Sequence, residues 1–223
     1  MNFFGHAALA ASHFSDLDPP FDATRLPTVC VGAMLPDFIG MLRLGRPTIR
    51  DAALATGVAF HHGTDHVFHD LASFHQLSRQ AFAWLSDRNL PRGPARAVAH
   101  IGIEILLDEV LAANASARDA YRAALGVQLP QLLAFENQRD AERLAALQDA
   151  LLTRAATQLE PTPGLVAERI ARALAGRPRL ATDQAGQALL ADWVTVARPL
   201  VAAEAPEVFA TLRARLANFG RAQ

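Results

Sequence analysis

The chain has 223 residues, of which 51% are hydrophobic and 19% are charged, and its formal net charge is -1 at pH 7. This length and composition predict a folded globular protein with a buried core and exclude global disorder. The near-neutral charge leaves no basic surplus, so broad nucleic-acid binding is not expected.

Alanine, leucine and arginine dominate the sequence and β-branched residues are sparse, which predicts an all-α fold, a single multi-helix domain. The first helix is expected over residues 2–13 and ends at a turn rich in Asp and Pro. A second helix is expected to begin near Thr28 and to be interrupted at Pro36. Residues 43–50 contain glycine and proline and predict a loop.

The next segment, residues 51–85, has a helical pattern with candidate breaks near Gly57 and Gly63. A further helix is expected from Pro91 to about Ala113, because proline is favoured in the first turn of a helix. The rest of the chain predicts four or five amphipathic helices separated by proline and glycine. No internal repeat is evident.

All histidines of the chain lie in its first 100 residues. We therefore predict a metal-binding helical core over residues 1–115. Residues 116–223 are predicted to form a helical extension that packs on the core within the same domain. This extension would serve as scaffold, lid or partner surface.

The sequence also gives expectations about the cellular compartment. The first residues lack the positive stretch of a secretory signal, and no apolar run approaches the roughly 18 residues that a membrane span needs. The single cysteine, Cys30, lies in an apolar run and is typical of a buried residue in a reducing compartment. We therefore expect a cytoplasmic protein without a membrane span.

Two pairs of residues carry the strongest chemical signal. Residues four apart on a helix share a face, so His-x-x-x-Asp or His-x-x-x-Glu can offer two ligands to one ion. The chain contains His61 with Asp65 and His100 with Glu104. Each pair alone could instead be a neutral hydrogen-bonded pair. Two such pairs on separate apolar helices favour a metal site.

The helical wheel separates the histidines around position 61. His61 and Asp65 fall on the border of the apolar stripe, whereas His62 and His66 point to the opposite, solvent side. His69 lies one turn beyond Asp65 and is a further candidate ligand. We therefore predict ligation by His61 and Asp65 and none by His62 or His66.

The second pair is predicted to be buried. Apolar side chains occupy almost every side of the helix that carries His100 and Glu104, as expected for a central helix. A carboxylate and an imidazole there would need compensation for lost hydration, which a bound cation supplies. Asp108, one turn further on, extends this row.

Two upstream residues complete the predicted metal set. His6 lies in the first helix and Asp37 follows Pro36. In isolation, His6 is more often a hydrogen-bonded core residue and Asp37 a helix cap. Beside the two pairs, they indicate a shared site with mixed nitrogen and oxygen ligands.

Imidazole and carboxylate ligands suit zinc, manganese or iron better than calcium or magnesium, and the candidate set could hold one ion or two. Two ions would act as a clamp in phosphoryl transfer, with Asp37 or Asp65 bridging ions or orienting water. The arginines that follow Asp37 could meet a substrate phosphate or form an ordinary solvated charge run; they are Arg43, Arg46 and Arg50.

In these motifs the chain resembles the acyl carrier protein phosphodiesterases, helical enzymes related to HD-type metal phosphohydrolases. The resemblance spans roughly residues 1–115. It rests on Met1-Asn2-Phe3-Phe4-Gly5-His6, on Gly32 to Asp37-Phe38, on Gly57 to His61 with Asp65, and on Glu104 with Asp108. It implies a manganese-type phosphodiesterase that removes phosphopantetheine from acyl carrier protein.

A second resemblance is to the zinc-dependent phospholipase C and single-strand nuclease group, which also pairs His-x-x-x-Asp/Glu ligands around zinc. It uses His6, the Gly32-to-Asp37 segment and the two pairs described above. Both resemblances imply metal-assisted hydrolysis of a phosphoester and differ in the substrate. The alternative class is a non-catalytic helical metal-binding protein.

Overall fold

The structure, a computed structural model, describes residues 1–156 and 161–219. In these ranges the chain forms ten helices and two very short strands, which confirms the predicted all-α fold. The helices are α1 (Phe3–Ser15), α2 (Leu26–Leu42), α3 (Ala52–His69), α4 (Ala72–Ser86), α5 (Arg92–Ala112), α6 (Ala115–Leu125), α7 (Leu129–Leu132), α8 (Gln138–Ala156), α9 (Pro163–Leu174) and α10 (Gln184–Leu216). The strands are β1 (Thr48–Ile49) and β2 (Leu133–Ala134).

The chain divides into two compact units, each built from separated stretches of sequence. The first unit comprises the described residues of 2–66, 111–158 and 215–223, and the second those of Met1, 67–110 and 159–214. The predicted core over 1–115 and extension over 116–223 stay a prediction; residues 157–160 and 220–223 of that extension lie outside the described residues.

In the first unit, α2 is the central helix and packs against α1, α6 and α8. Its residues from Val29 to Leu35 are all buried, as expected for a helix that is apolar all round. Cys30 lies in this run, and burial raises the pKa of its thiol to about 12. The thiol is therefore protonated at neutral pH, which excludes it as a thiolate nucleophile.

Helix α2 continues through Pro36 to Leu42, so the predicted interruption at this proline is wrong. A proline inside a helix removes one backbone hydrogen bond, at a cost of about 3 kcal/mol. Burial of neighbouring apolar side chains such as Leu35 and Phe38 offsets that cost.

Two glycines allow α2 and α3 to touch through their backbones. A Cβ added to Gly32 would collide with the carbonyl oxygen of Leu54. A Cβ added to Gly57 would collide with the carbonyl oxygen of Val29 and lie 2.8 Å from the backbone nitrogen of Ala33. The absence of side chains at Gly32 and Gly57 therefore sets the contact between these helices.

This contact explains why the predicted helix break near Gly57 does not occur; the predicted break near Gly63 is also wrong. Glycine destabilises a helix by only about 1 kcal/mol relative to alanine, and Gly57 makes possible a close helix contact in return. Helix α3 therefore runs unbroken to His69, and the break falls between α3 and α4, before Ala72.

The segment after α2, predicted as a loop, is held against α8 and pairs with β2. Thr48 and Ile49 form an antiparallel ladder with Ala134 and Leu133. The amide of Gly45 donates to Asp140 at 2.9 Å. These bonds fix the exit of α2 in the first unit.

The second unit contains the close packing of α5 on α10. The buried ring of Trp193 lies over Gly102, where an added Cβ would collide with it. Arg198 of α10 donates to Glu109 of α5 at 3.1 Å and to the carbonyl of Pro161 at 2.8 Å. Throughout the described part of the chain, no helix combines the length and apolar character that crossing a membrane requires.

Candidate metal sites

Three helices of the first unit bring together His6 of α1, Asp37 of α2 and His61 of α3, called here the buried triad. One ligand atom from each residue lies within 4.8 Å of the others. His6 and His61 are buried, and Asp37 is partly buried. All three were predicted as ligands, and packing of separate helices, rather than spacing along one helix, places them together.

The backbone of α2 orients His61. Its Nδ1 lies 2.8 Å from the carbonyl oxygen of Ala33. A carbonyl oxygen can only accept, so Nδ1 carries the hydrogen and Nε2 keeps the lone pair that binds a metal. Histidines that ligate metals are commonly fixed by such a bond from the other ring nitrogen. The Gly32–Gly57 contact brings Ala33 close enough to make it.

The His61 ring is neutral at neutral pH. Burial lowers its pKa to about 4, and neither the hydrogen bond to Ala33 nor the negative charge of Asp65, which both raise the pKa, cancels this effect. The ring centroid of His6 lies 4.0 Å from that of His61. Neutral imidazole is the form that ligates metal, so the charge state of His61 suits that role.

This lowered pKa predicts a pH-dependent stability of the metal-free protein. In the unfolded chain His61 titrates near 6.5, so the unfolded state takes up a proton before the folded state between pH 6.5 and 4. The stabilisation is complete above pH 6.5 and is lost as the pH falls towards 4. Between pH 7 and 5, denaturant titration of chelated protein should show a loss of about 2 kcal/mol.

The matched comparison is His61→Asn, which keeps a donor for Ala33 and removes the titrating ring. Other groups titrate in both proteins, so they cancel in the difference between the two pH profiles. If wild type and His61→Asn lose the same stability between pH 7 and 5, the assignment of a lowered pKa to His61 is wrong.

Asp65 lies at the edge of the buried triad. Its carboxylate is 41% exposed, and Oδ1 lies 3.9 Å from Nε2 of His6. The predicted partner of His61 on the same helix is therefore adjacent to His6. His62 and His66 are exposed, in agreement with the helical wheel.

A second group lies in the second unit and consists of His69 at the end of α3 with His100 and Glu104 of α5, called here the outer triad. Its ligand atoms also lie within 4.8 Å of one another. Nε2 of His100 is 3.2 Å and Nε2 of His69 is 3.8 Å from Oε1 of Glu104. The two imidazole rings are stacked, with centroids 4.9 Å apart and planes 10° from parallel.

Glu104 is the most enclosed member of the outer triad. The amino group of Met1 lies 3.3 Å from its Oε1. Burial raises the pKa of Glu104, but this amino group, the hydrogen bond from His100 and the charges of His100 and His69 together hold the pKa below its ordinary value. Glu104 is therefore a carboxylate at neutral pH.

The predicted burial of His100 is wrong, because its side chain is 46% exposed. Its helix is apolar on most sides, but His100 occupies an exposed position on it. His75 is also exposed, whereas Asp108 is buried. The three arginines after Asp37 are exposed; they are Arg43, Arg46 and Arg50.

Sequence reasoning missed the carbonyl of Ala33 and the part played by the glycines. A backbone carbonyl has no signature in the sequence. The glycines do leave one, because Gly32 precedes Asp37 by five residues and Gly57 precedes His61 by four. Gly57 lies about one helical turn before His61, and Gly32 lies about one and a half turns before Asp37. A glycine inside a helix and close to a site residue is a signal of close helix packing.

Comparison of the chain with family models, with curated proteins and with solved structures gave no match. The family resemblances of its motifs therefore stay expectations.

Proposed function

We propose that the chain is a metal-dependent phosphohydrolase that hydrolyses a phosphodiester, with zinc or manganese held by the buried triad. The observation that carries the proposal is the convergence of two imidazoles and one carboxylate from three helices. The bond from His61 to Ala33 leaves Nε2 as the ligand atom. Two His and one carboxylate form a common catalytic donor set that keeps a position open for water.

The residues fit an ion. Ligand atoms 2.0–2.2 Å from one centre are roughly 3.4 Å apart in a tetrahedron and at most about 4.4 Å apart in any geometry. A spread within 4.8 Å therefore needs only small side-chain movements to close on a metal. His6 and His61 are buried, so the site holds little water. The negative charge of Asp37 therefore needs compensation there, which a bound cation would supply.

A bound divalent ion would supply a Lewis acid and an activated water for attack on phosphorus. Among the protein groups, Asp65 is suited to accept the proton of that water. Its carboxylate is partly open to solvent and lies beside His6, so it can exchange protons with bulk water. His61 serves as ligand only, because Ala33 holds its other nitrogen.

The substrate proposal follows from the motif resemblance. It is phosphopantetheinyl acyl carrier protein, from which hydrolysis of the phosphodiester would release phosphopantetheine. The resemblance to zinc-dependent phospholipase C and nucleases supports the same reaction class with a different diester. An assay with a generic phosphodiester tests the reaction class, and an assay with holo-acyl carrier protein tests the substrate.

The test uses protein purified without a histidine tag and without chelator. We expect one to two transition-metal ions per chain by mass spectrometry and hydrolysis of bis(p-nitrophenyl) phosphate. Activity should disappear on chelation and return with manganese or zinc. Release of phosphopantetheine from holo-acyl carrier protein is then measured directly. Metal bound without turnover of any diester would identify a non-catalytic metal-binding protein and overturn the proposal.

A further inference from the structure

Of the two imidazoles in the outer triad, His100 lies at hydrogen-bond distance from Glu104 and His69 lies beyond it. Charge-assisted hydrogen bonds between nitrogen and carboxylate oxygen are about 2.7–2.9 Å long. In the outer triad the imidazole nitrogens of His100 and His69 are 3.2 and 3.8 Å from Oε1 of Glu104. Both distances are close to the roughly 3.4 Å edge of a tetrahedral site with ordinary zinc–ligand bonds.

The orientation of the rings also suits a shared ion. The rings of His69 and His100 are stacked nearly parallel, and Nε2 of each faces the same oxygen of Glu104. Phe74 meets both rings edge-on, with centroids 5.4 and 5.3 Å away. This apolar support fixes the orientation of both imidazoles, as neighbouring groups do around metal-binding histidines.

Solvent reaches this group. The side chains of His69 and His100 are 34% and 46% exposed, whereas that of Glu104 is only 12% exposed. An ion bound here would have three protein ligands on one side and water on the other. That is the arrangement of a zinc site with an open coordination position.

We propose that the outer triad is a metal site in its own right, in which His69, His100 and Glu104 bind a zinc-type divalent ion whose remaining position is open to water or a small anion. The inference does not rest on the proposed hydrolysis, because it concerns binding alone. Two imidazoles and a carboxylate favour zinc or cobalt over magnesium or calcium.

The amino group of Met1 lies 3.3 Å from Oε1 of Glu104, the same oxygen that the two imidazoles face. A carboxylate has two oxygens and can accept from several donors at once. An ion bound at Oε1 would either share this oxygen with the amino group or leave Oε2 to accept from it.

The experiment isolates the outer triad with the full-length, untagged chain carrying His61→Asn, which removes a ligand of the buried triad. Cobalt(II) is titrated into chelator-treated protein and followed by the visible absorption of tetrahedral cobalt. We expect one cobalt per chain. Adding His100→Ala or Glu104→Gln should weaken binding by roughly 100-fold or more, and adding the control His75→Ala should leave it unchanged.

His100 and His75 are both exposed, so neither substitution should disturb folding, and Glu104→Gln keeps the side-chain volume. The thermal midpoint of each variant shows whether its fold is intact. The proposal is overturned if His61→Asn protein binds no cobalt, or if adding His100→Ala and Glu104→Gln leaves the affinity intact. Wild-type protein that hydrolyses no diester but shows this cobalt site would refute only the proposed function.

Discussion

Replacing His61 with asparagine is expected to abolish metal binding at the buried triad and to lower kcat/KM for a phosphodiester by at least about 10³-fold, or roughly 4 kcal/mol. The substitution removes Nε2, the ligand atom, and keeps a donor for the carbonyl of Ala33. Loss of the ion removes both the Lewis acid and the activated water of the proposed reaction. Metal content and steady-state kinetics measure the effect.

The matched control is His62→Ala on the same helix. His62 is exposed, so its removal should leave metal content, kinetics and thermal midpoint near those of wild type. A His61→Asn protein that retains its activity, or a His62→Ala protein that loses it, would contradict the assignment of His61 as a ligand.

Replacing Gly57 with alanine is expected to destabilise the protein by about 2–3 kcal/mol, despite the better helix propensity of alanine. The new methyl group would collide with the carbonyl oxygen of Val29 and crowd the nitrogen of Ala33, so α2 and α3 must separate. Separation lengthens the bond from His61 to Ala33, and metal affinity should fall with stability. Denaturant unfolding and metal titration report the two effects.

Gly40→Ala on α2 is the control, because it adds the same methyl group where there is free space. An added Cβ at Gly40 meets no atom within 4 Å, so the substitution should stabilise α2 by up to about 1 kcal/mol. Equal stability changes in Gly57→Ala and Gly40→Ala would show that backbone contact between α2 and α3 does not matter.

Much of the fold could be predicted because helix formation depends on local composition. The helix expected from Pro91 to about Ala113 is α5, and Asn114 caps the next helix by accepting from the amide of Ser116. The helix breaks predicted at Pro36 and Gly57 are wrong for the same reason. Each disfavours a helix locally, but burial or a close helix contact overrides that preference.

The sequence predicted which residues belong to the candidate sites, but not which of them lie together. The four-residue rule paired His61 with Asp65, whereas packing places His61 with His6 and Asp37 and leaves Asp65 at the edge. Three residues from three helices meet only through tertiary contacts, which have no periodicity in the sequence. The wheel likewise could not show that His100 is exposed, because a helix apolar on most sides gives no clear direction.

The glycine contact between α2 and α3 makes the triad sensitive to insertions and deletions. Gly57 and His61 are four residues apart, so they lie on one face of α3, whereas Gly32 and Asp37 are five residues apart and lie about 140° apart around the axis of α2. One residue inserted between a glycine and its ligand would turn the ligand by about 100° around the helix axis. A chain that keeps the buried triad should therefore keep both intervals unchanged, even where neighbouring loops vary in length.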